Sequence, residues 1–254
     1  MSGNFECIIY EKTEAISVVK LNRPNVLNAM NRKMWLDLDE ALEDSLKDNK
    51  IKVLIITGIG RAFSSGADLK ESKTRSLTEY RKYLEKLQAI SRKIIFFEKP
   101  TIAAINGYAL GSGYELALAC DIRLAAEDAV IGSPEVKVNS SITGGTTRLI
   151  QNLIGSGRAK ELLFTGDNIS GKEAEKIGLV NKAVTPDKLL DYALKMAVKI
   201  AENSTNSIKM IKNGLHMAYT NVSIKELMDY EIEACLKCVS TKEREESLKA
   251  FFLK

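Results

Sequence analysis

The chain has 254 residues, 45% of them hydrophobic, which is enough for one large domain with a sizeable buried core. Its 37 basic and 33 acidic side chains leave a formal net charge of +4, and this small, dispersed excess argues against a nucleic-acid-binding protein. No apolar run approaches the ~20 residues of a membrane span, and "MSGNFECIIYEK" carries no signal-peptide pattern, so we expect a soluble cytoplasmic protein with no membrane partner.

The first half of the chain predicts an α/β arrangement, because apolar runs alternate with helical patterns. The segment "CIIYEKTEAISVVKLNRP" predicts two strands around a polar turn, and "NRKMWLDLDEALEDSLKD" predicts a helix. Buried strands are predicted at "KVLIITG" and "TIAAING", with two more strands at "DIRLAA" and "AVIGSPE". Between them we predict a loop at "RAFSSGAD", a long helix from Leu77 to Phe97, and a glycine-rich turn that leads into a short apolar helix at "NGYALGSGYELALAC".

The second half of the chain, after about Gly144, is dominated by helical patterns. They include "RLIQNLIGSGRAKELLFTG", "PDKLLDYALKMAVKIAEN", "STNSIKMIKNGLHMAYTN", "SIKELMDYEIEACLKC" and "TKEREESLKAFFLK". Only "LVNKAV" predicts a strand among them. The sequence therefore predicts an α/β front half followed by a nearly all-helical tail.

Two glutamates stand at positions that predict chemistry. Glu115 follows a Gly-Ser-Gly and precedes the apolar "LALAC", where a buried carboxylate is costly. Glu135 follows a strand and a proline in "AVIGSPEVKV". Two carboxylates near hydrogen-bond donors would suit proton transfer at a carbon next to a carbonyl. Either glutamate alone also fits a solvated loop residue or a helix cap.

Two glycine-rich turns, "SSGAD" and "ALGSG", each come after a buried strand. Their backbones can approach a ligand closely, and the second turn starts a helix, whose first N–H groups lack partners. One N–H from each turn could hold the same carbonyl oxygen as an oxyanion hole. Glycines that serve only tight packing explain the pattern equally well.

Other enzyme classes fit the residues less well. The single histidine, His216, lies in a helical pattern, and no GxSxG is present, which disfavours a Ser-His-Asp hydrolase. The segment "IITGIGRAFSSGADL" lacks the third glycine of a dinucleotide-binding GxGxxG. Four cysteines make no disulfide framework, and the pair Cys235 and Cys238 has no second pair or nearby histidine to complete a zinc site.

Five longer stretches carry a more specific signal. In chain order they are "VVKLNRPNVLNAMN", "GIGRAFSSGADLKE", "KPTIAAINGYALGSGYELALACDIRLAAEDAVIGSPEVKV", "GRAKELLFTGDNISGKEAEKIGLVNKAV" and "AFFLK". Together they resemble the crotonase family, the enoyl-CoA hydratase/isomerase superfamily, over almost the whole chain. The resemblance implies a crotonase-like spiral of ββα units over residues 1–195, which holds the active site. It also implies an α-helical C-terminal region over 196–254 that drives assembly into a homotrimer or a dimer of trimers.

The resemblance further implies an acyl-CoA substrate and a set of site residues. An oxyanion hole would come from the N–H groups of Ala67 and Ser112, and Glu115 and Glu135 would be catalytic. Coenzyme A would be part of the substrate, with no metal or redox cofactor. Its binding residues would be Arg23, Asn25, Val26, Asp68, Leu69, Lys70 and Lys254, the last reaching the phosphates from a neighbouring subunit.

Retention of both glutamates favours an enoyl-CoA hydratase, which adds water to a 2-enoyl-CoA. The alternatives are a Δ3,Δ2-enoyl-CoA isomerase or another crotonase-fold lyase or hydrolase that uses Glu135 alone, and a non-catalytic member that binds RNA or protein. The sequence departs from the family at Ser112, which replaces a glycine, and in "VKVNSSITGGTTRL", where Asn139 replaces another glycine and a Pro-Gly is missing. This loop favours a more polar or unusual acyl group.

Overall fold

The computed structural model describes residues 5–73, 75–241, 244–245, 248–249 and 252. The chain divides into two compact units, Met1–Val198 and Lys199–Lys254. The first unit is α/β and the second is helical. The α/β class and the helical C-terminal region predicted from the sequence are thus confirmed.

A six-stranded sheet forms the framework of the first unit, in the order β1-β2-β3-β5-β7-β10. Strands β1 and β2 pair in antiparallel fashion, and all later neighbours are parallel. The two central strands, β3 and β5, are apolar along their length and almost wholly buried, as their continuous apolar sequences predict. The strands are β1 (Ile8–Lys12), β2 (Ile16–Leu21), β3 (Val53–Gly58), β5 (Thr101–Ile105), β7 (Ile122–Ala126) and β10 (Lys182–Val184).

A second, four-stranded sheet has the order β4-β6-β8-β9. Strands β4, β6 and β8 are parallel, and β9 runs antiparallel to β8. The strands are β4 (Ala62–Ser64), β6 (Tyr108–Leu110), β8 (Val130–Gly132) and β9 (Asn168–Ser170). The prediction of a loop at "RAFSSGAD" and a plain turn at "NGYALGSG" was wrong in part, because β4 and β6 lie there. Three residues are too few to show the alternation that identifies a strand.

The helices of the first unit confirm the main sequence predictions and add one short helix, α2. Three successive ββα units each give one strand to each sheet before their helix: β3-β4-α3, β5-β6-α4 and β7-β8-α5. The long helix α5 is interrupted at Gly155, which has φ 78°. The helices are α1 (Arg32–Lys47), α2 (Leu69–Ser72), α3 (Leu77–Ile95), α4 (Ser112–Ala119), α5 (Thr146–Thr165), α6 (Gly171–Lys176) and α7 (Leu189–Ala201), the last of which continues past the unit boundary at Val198.

The second unit is built around the hairpin of α8 (Thr205–Ala218) and α9 (Ile224–Val239). Helix α9 begins with a capping box, in which Ser223 and Glu226 satisfy each other's backbone N–H groups. The hydroxyl of Tyr230 donates to the carbonyl of Met210 at 2.8 Å and so ties the two helices together. Most of "TKEREESLKAFFLK" lies outside the described residues. Among the helices that are described, none is long and apolar enough to cross a membrane.

The contact between α4 and β4 decides how closely the ββα units pack. A Cβ added at Gly113 would lie 2.4 Å from the carbonyl oxygen of Ser64 and 2.7 Å from its Cβ. Only a glycine therefore allows the first turn of α4 to rest on the end of β4. Gly157 in α5 is the opposite case, since an added Cβ would meet nothing within 4 Å.

We expect Gly113→Ala to lower the free energy of unfolding by about 1–3 kcal/mol, because the added methyl forces α4 and β4 apart. The matched substitution Gly157→Ala should leave stability unchanged or raise it by up to about 1 kcal/mol, since alanine is favoured over glycine in a helix. Urea unfolding of both variants measures the difference. Equal effects at the two positions would contradict the packing argument.

Candidate active site

One cavity of about 310 Å³ brings together the two predicted catalytic glutamates and the two predicted oxyanion-hole residues. It is lined by Glu115, Glu135, Ala67 and Ser112, and also by Leu69 of the predicted coenzyme A contacts. Its opposite wall is formed by apolar and aromatic side chains of α3. The residues singled out in the sequence analysis are far apart in the chain but line one cavity.

The loop that carries Ala67 is fixed to the segment before α1. Met30 and Ala67 form a parallel β-bridge, in which the Met30 N–H donates to Gly66 at 2.8 Å and the Asp68 N–H donates to Met30 at 3.2 Å. In this pairing the N–H of Ala67 points away from Met30. It donates to no acceptor within the described part of the chain, so it is available to a ligand.

Buried Asn28 joins the segment before α1 to the loop between β3 and β4. Its side-chain amide donates to the carbonyls of Ile59 and Ala62 at 3.0 and 2.7 Å, and its oxygen accepts from the Arg23 N–H at 2.8 Å. Asn28 has φ 55°, a left-handed conformation that asparagine tolerates better than most residues. Sequence reasoning missed this positioning residue.

The N–H of Ser112 lies at the start of α4, with Gly111 as the cap residue. N–H groups in the first turn of a helix have no acceptor within the helix, and they carry the positive end of its dipole. Across the described residues the Ser112 N–H has no other acceptor. A Cβ added at Gly66 would lie 3.4 Å from this nitrogen, so the Ala67 loop and the helix start are in contact. Both N–H groups therefore lie where this loop meets the start of α4, and their joint action as an oxyanion hole stays a prediction.

Glu115 lies in the first turn of α4 and is only 3% exposed. Thr143 holds both of its oxygens: the Thr143 N–H donates to Oε1, and the hydroxyl donates to Oε2 at 2.7 Å. Burial raises the pKa of Glu115 above its ordinary value of 4.5. The two hydrogen bonds from Thr143 act against this rise, and the nearby charge of Glu135 adds to it.

Glu135 lies in a short 3-10 helix, Pro134–Val138, directly after β8. The hydroxyl of Ser133 donates to its Oε2 at 2.5 Å. A Cβ added at Gly111 would lie 2.8 Å from Oε1, so this oxygen reaches the start of α4. Glu135 is partly exposed, unlike Glu115, and the two carboxylates therefore have different surroundings.

The loop after Glu135 departs from the family pattern, and the structure accounts for two of its residues. Asn139 ends the 3-10 helix with φ 53° and ψ 45°, so it takes the left-handed conformation that a glycine would supply. Thr143 supplies the two donors to Glu115. Sequence reasoning did not identify Thr143, because its role depends on a contact with Glu115, 28 residues away in the chain.

The predicted coenzyme A contacts lie near the cavity but mostly outside its lining. Arg23 and Asp68 bind each other, with Nη1 and Oδ2 2.9 Å apart, and the pair fastens the two loops. Asn25, Val26 and Lys70 are exposed on these loops, and Leu69 is exposed as well as lining the cavity. Lys254 lies outside the described residues. Within those residues no cluster of three His, Cys, Asp or Glu side chains forms a metal site.

The structure thus combines ββα units with a cavity lined by Glu115, Glu135, Ala67 and Ser112. The family model described as Enoyl-CoA hydratase/isomerase matches residues 11–254. The chain belongs to this family.

Named relatives cover nearly the whole chain. A short-chain-enoyl-CoA hydratase from Clostridium acetobutylicum is 37% identical over 97% of this chain and 95% of its own length. A crotonyl-CoA hydratase from Syntrophomonas wolfei is 38% identical over 98% of this chain and 96% of its own. The crystal structure of an enoyl-CoA hydratase from Bacillus anthracis has a TM-score of 0.93 at 34% identity, and covers 97% of this chain and 96% of that one.

The raised pKa of Glu115 predicts that this carboxylate lowers stability. A raised pKa means that the folded protein holds the proton more tightly than the unfolded chain, so stability falls as pH rises through the folded pKa. We expect Glu115→Gln to raise the free energy of unfolding near pH 8, because the folded protein no longer buries a charged carboxylate. This gain should shrink on acidification and vanish below pH 4.5, the ordinary value. Denaturant titrations across this range measure it.

Glu173 provides a control in which the pKa is shifted in the opposite direction, downward. Hydrogen bonds from the backbone and side chain of Ser170 lower its pKa in the capping box of α6. Glu173→Gln should therefore lower stability at neutral pH, with the loss fading as pH falls below the ordinary value of 4.5. A Glu115→Gln variant that behaved like Glu173→Gln would contradict the account of Glu115.

Proposed function

We propose that this protein hydrates a 2-enoyl-CoA thioester to the 3-hydroxyacyl-CoA. The observation that carries the proposal is that Glu115, Glu135, Ala67 and Ser112 line one cavity, with no acceptor for the N–H groups of Ala67 and Ser112 within the described residues. The printed names of the similar proteins, short-chain-enoyl-CoA hydratase and crotonyl-CoA hydratase, support the same reaction.

In the proposed mechanism the two N–H groups bind the thioester oxygen. Negative charge grows on this oxygen when water attacks the β-carbon, and fixed backbone donors stabilise that charge at little cost in reorganisation. One such donor is typically worth ~3 kcal/mol. The dipole of α4 adds to the stabilisation, because Ser112 is its first residue.

The two glutamates carry the protons. Glu115 and Glu135 together hold the water and take one of its protons as its oxygen bonds to the β-carbon. Glu135 delivers one proton to the α-carbon, so the pair of carboxyl groups ends the cycle with as many protons as it began with. The carbon–carbon double bond becomes a single bond, and the thioester stays intact. The reaction is redox-neutral and both proton carriers are protein carboxylates, so the proposal needs no metal or redox cofactor.

We also propose a homotrimer or dimer of trimers formed through the helical C-terminal region. Support comes from an apolar groove of about 590 Å³ on the α8–α9 hairpin. Its lining includes Ile211 and Leu215, which are 63% and 60% exposed. Exposed apolar area of this kind marks interaction surfaces. The cytoplasmic location expected from the sequence stays a prediction.

Hydration is tested by the loss of conjugated-enoyl absorbance when crotonyl-CoA is mixed with the protein. We expect Glu135→Gln and Glu115→Gln each to lower kcat by about 10²–10⁴-fold, the usual worth of a positioned acid or base. Glu127→Gln is a suitable control. Glu127 is a carboxylate in the turn between β7 and β8, and it does not line the cavity.

Three results would contradict the proposal in different ways. A wild-type protein that leaves crotonyl-CoA and its longer analogues unchanged is not a hydratase. A Glu135→Gln variant with wild-type rates means that Glu135 is not the proton donor. A protein that isomerises 3-enoyl-CoA esters and keeps this activity in Glu115→Gln uses Glu135 alone and is an isomerase.

The proposed assembly is tested by sedimentation. Ile211→Glu should shift the assembly toward monomer, because it places a charge in the apolar groove. Lys225→Glu changes an exposed residue of α9 outside the groove and should leave the assembly intact. An unchanged sedimentation coefficient for Ile211→Glu would show that the groove is not an interface.

A further inference from the structure

Thr143 supplies all the hydrogen bonds that the Glu115 side chain accepts within the described residues. Its backbone N–H donates to Oε1, and its hydroxyl donates to Oε2 at 2.7 Å. Each oxygen of a carboxylate has about two lone-pair sites. One site on each oxygen of Glu115 is therefore left for a ligand in the cavity, which both residues line.

The charges around Glu115 do not favour its ionised form. Of the elements packed against α4, α3 brings the phenols of Tyr80 and Tyr83 to the cavity, and the 3-10 helix after β8 brings Glu135. No lysine, arginine or histidine of the described residues lines this cavity. On α4 itself, burial raises the pKa of the neighbouring Tyr114, which therefore stays uncharged near neutral pH. Glu115 thus has no cation to balance its charge in the cavity.

The hydrogen bonds from Thr143 are what opposes neutralisation of Glu115. Burial and the charge of Glu135 raise the pKa of this carboxyl group, and the two donors of Thr143 lower it. A hydrogen bond to a charged acceptor is about twice as strong as one to a neutral acceptor, so both donors favour the ionised form. The hydroxyl is the donor that a substitution can remove, since the backbone N–H stays in any variant except proline.

The loop that carries Thr143 is fixed against the neighbouring helices. The next residue, Gly144, has φ 63°, and a Cβ added there would lie 3.5 Å from the Cβ of Glu115 and 3.1 Å from the Oγ of Ser91 in α3. The carbonyl of Thr143 accepts from the Thr146 N–H at 3.0 Å, at the start of α5. The hydroxyl of Thr143 is therefore held in place before any substrate binds.

We propose that the Thr143 hydroxyl is a positioning group that keeps Glu115 ionised and oriented, so that Glu115 takes a proton from the water that adds to the enoyl thioester. This role rests on the hydratase function proposed above. The proton that Glu115 gains balances the one that Glu135 gives to the α-carbon. The proposal also assigns a function to the segment that departs from the family pattern, because Thr143 lies in it.

A double-mutant cycle tests the contact without relying on any activity. Thr143→Val removes the hydroxyl but keeps the N–H and the shape of the side chain. It should raise the folded pKa of Glu115 further, so its stability relative to wild type should fall as pH rises from the ordinary value of 4.5 to about pH 8. In the Glu115→Gln background the effect of Thr143→Val should not change with pH. Urea unfolding of the four proteins measures both effects.

The pH profile of hydration tests the consequence for the reaction. If Glu115 must be ionised, kcat/KM for crotonyl-CoA falls at acid pH, and Thr143→Val should move this fall to higher pH. The loss of kcat/KM in this variant should therefore be about 3- to 10-fold greater at the acid end of the profile than at the alkaline end, as one hydrogen bond is typically worth. Thr143→Ser retains a hydroxyl and should restore the wild-type profile.

Thr165→Val is the matched control, because Thr165 is an exposed threonine at the end of α5 that does not line the cavity. It should change neither the pH profile nor the pH dependence of stability. If Thr143→Val is too unstable to measure, Thr143→Ala removes the same hydroxyl without placing a methyl group against the carboxylate.

The outcomes separate the two proposals. A wild-type protein that hydrates no enoyl-CoA overturns the function, while a pH-dependent effect in the unfolding cycle still supports the pairing of Thr143 with ionised Glu115. Where hydration is observed, an equal loss of kcat/KM at every pH in Thr143→Val assigns Thr143 to structure alone and overturns the positioning role. A Thr143→Ser variant that behaves like Thr143→Val overturns it too, as does a pH-dependent effect that persists in the Glu115→Gln background.

Discussion

The parallel pairing of β4, β6 and β8 is the constraint on which the site depends. Each of these short strands ends just before a predicted site residue: β4 before Ala67, β6 before Ser112 and β8 before Glu135. Because the strands are parallel neighbours, their C-terminal ends all lie at the same edge of the sheet. Side chains and N–H groups from three separate ββα units therefore meet there without any long loop to order.

The same geometry explains why the site can hold a buried carboxylate. The first turn of α4 rests directly on β4 through Gly113, and this contact places Glu115 in the interior. Thr143 then satisfies both oxygens from the loop before α5. Burial of this carboxylate lowers the stability of the folded protein. It also raises the pKa of Glu115 toward the range useful for proton transfer. A cost in stability of this kind is common at functional sites.

Much of the framework could be predicted from the sequence. Long periodic or continuous apolar segments identified the strands of the large sheet and the main helices, and the resemblance identified Glu115, Glu135, Ala67 and Ser112, all of which line one cavity. The three-residue strands β4, β6 and β9 escaped prediction, because their identity depends on neighbours in space. Thr143 escaped for the same reason. Trp35 and Tyr83 lie on different helices, so only the folded chain shows that both line one cavity.

The alternation of the chain between two sheets also determines where its length can change. The short links between β3 and β4, β5 and β6, and β7 and β8 each join one sheet to the other, and each sets the position of the residues that follow. An added residue there would shift a whole unit's register in the small sheet. The turn between α1 and β3, residues 48–52, does not set the register of a strand in the small sheet, because it leads into the large sheet at the end of β3 away from β4. Natural insertions, and sites for attaching a label, should therefore collect at turns of this second kind.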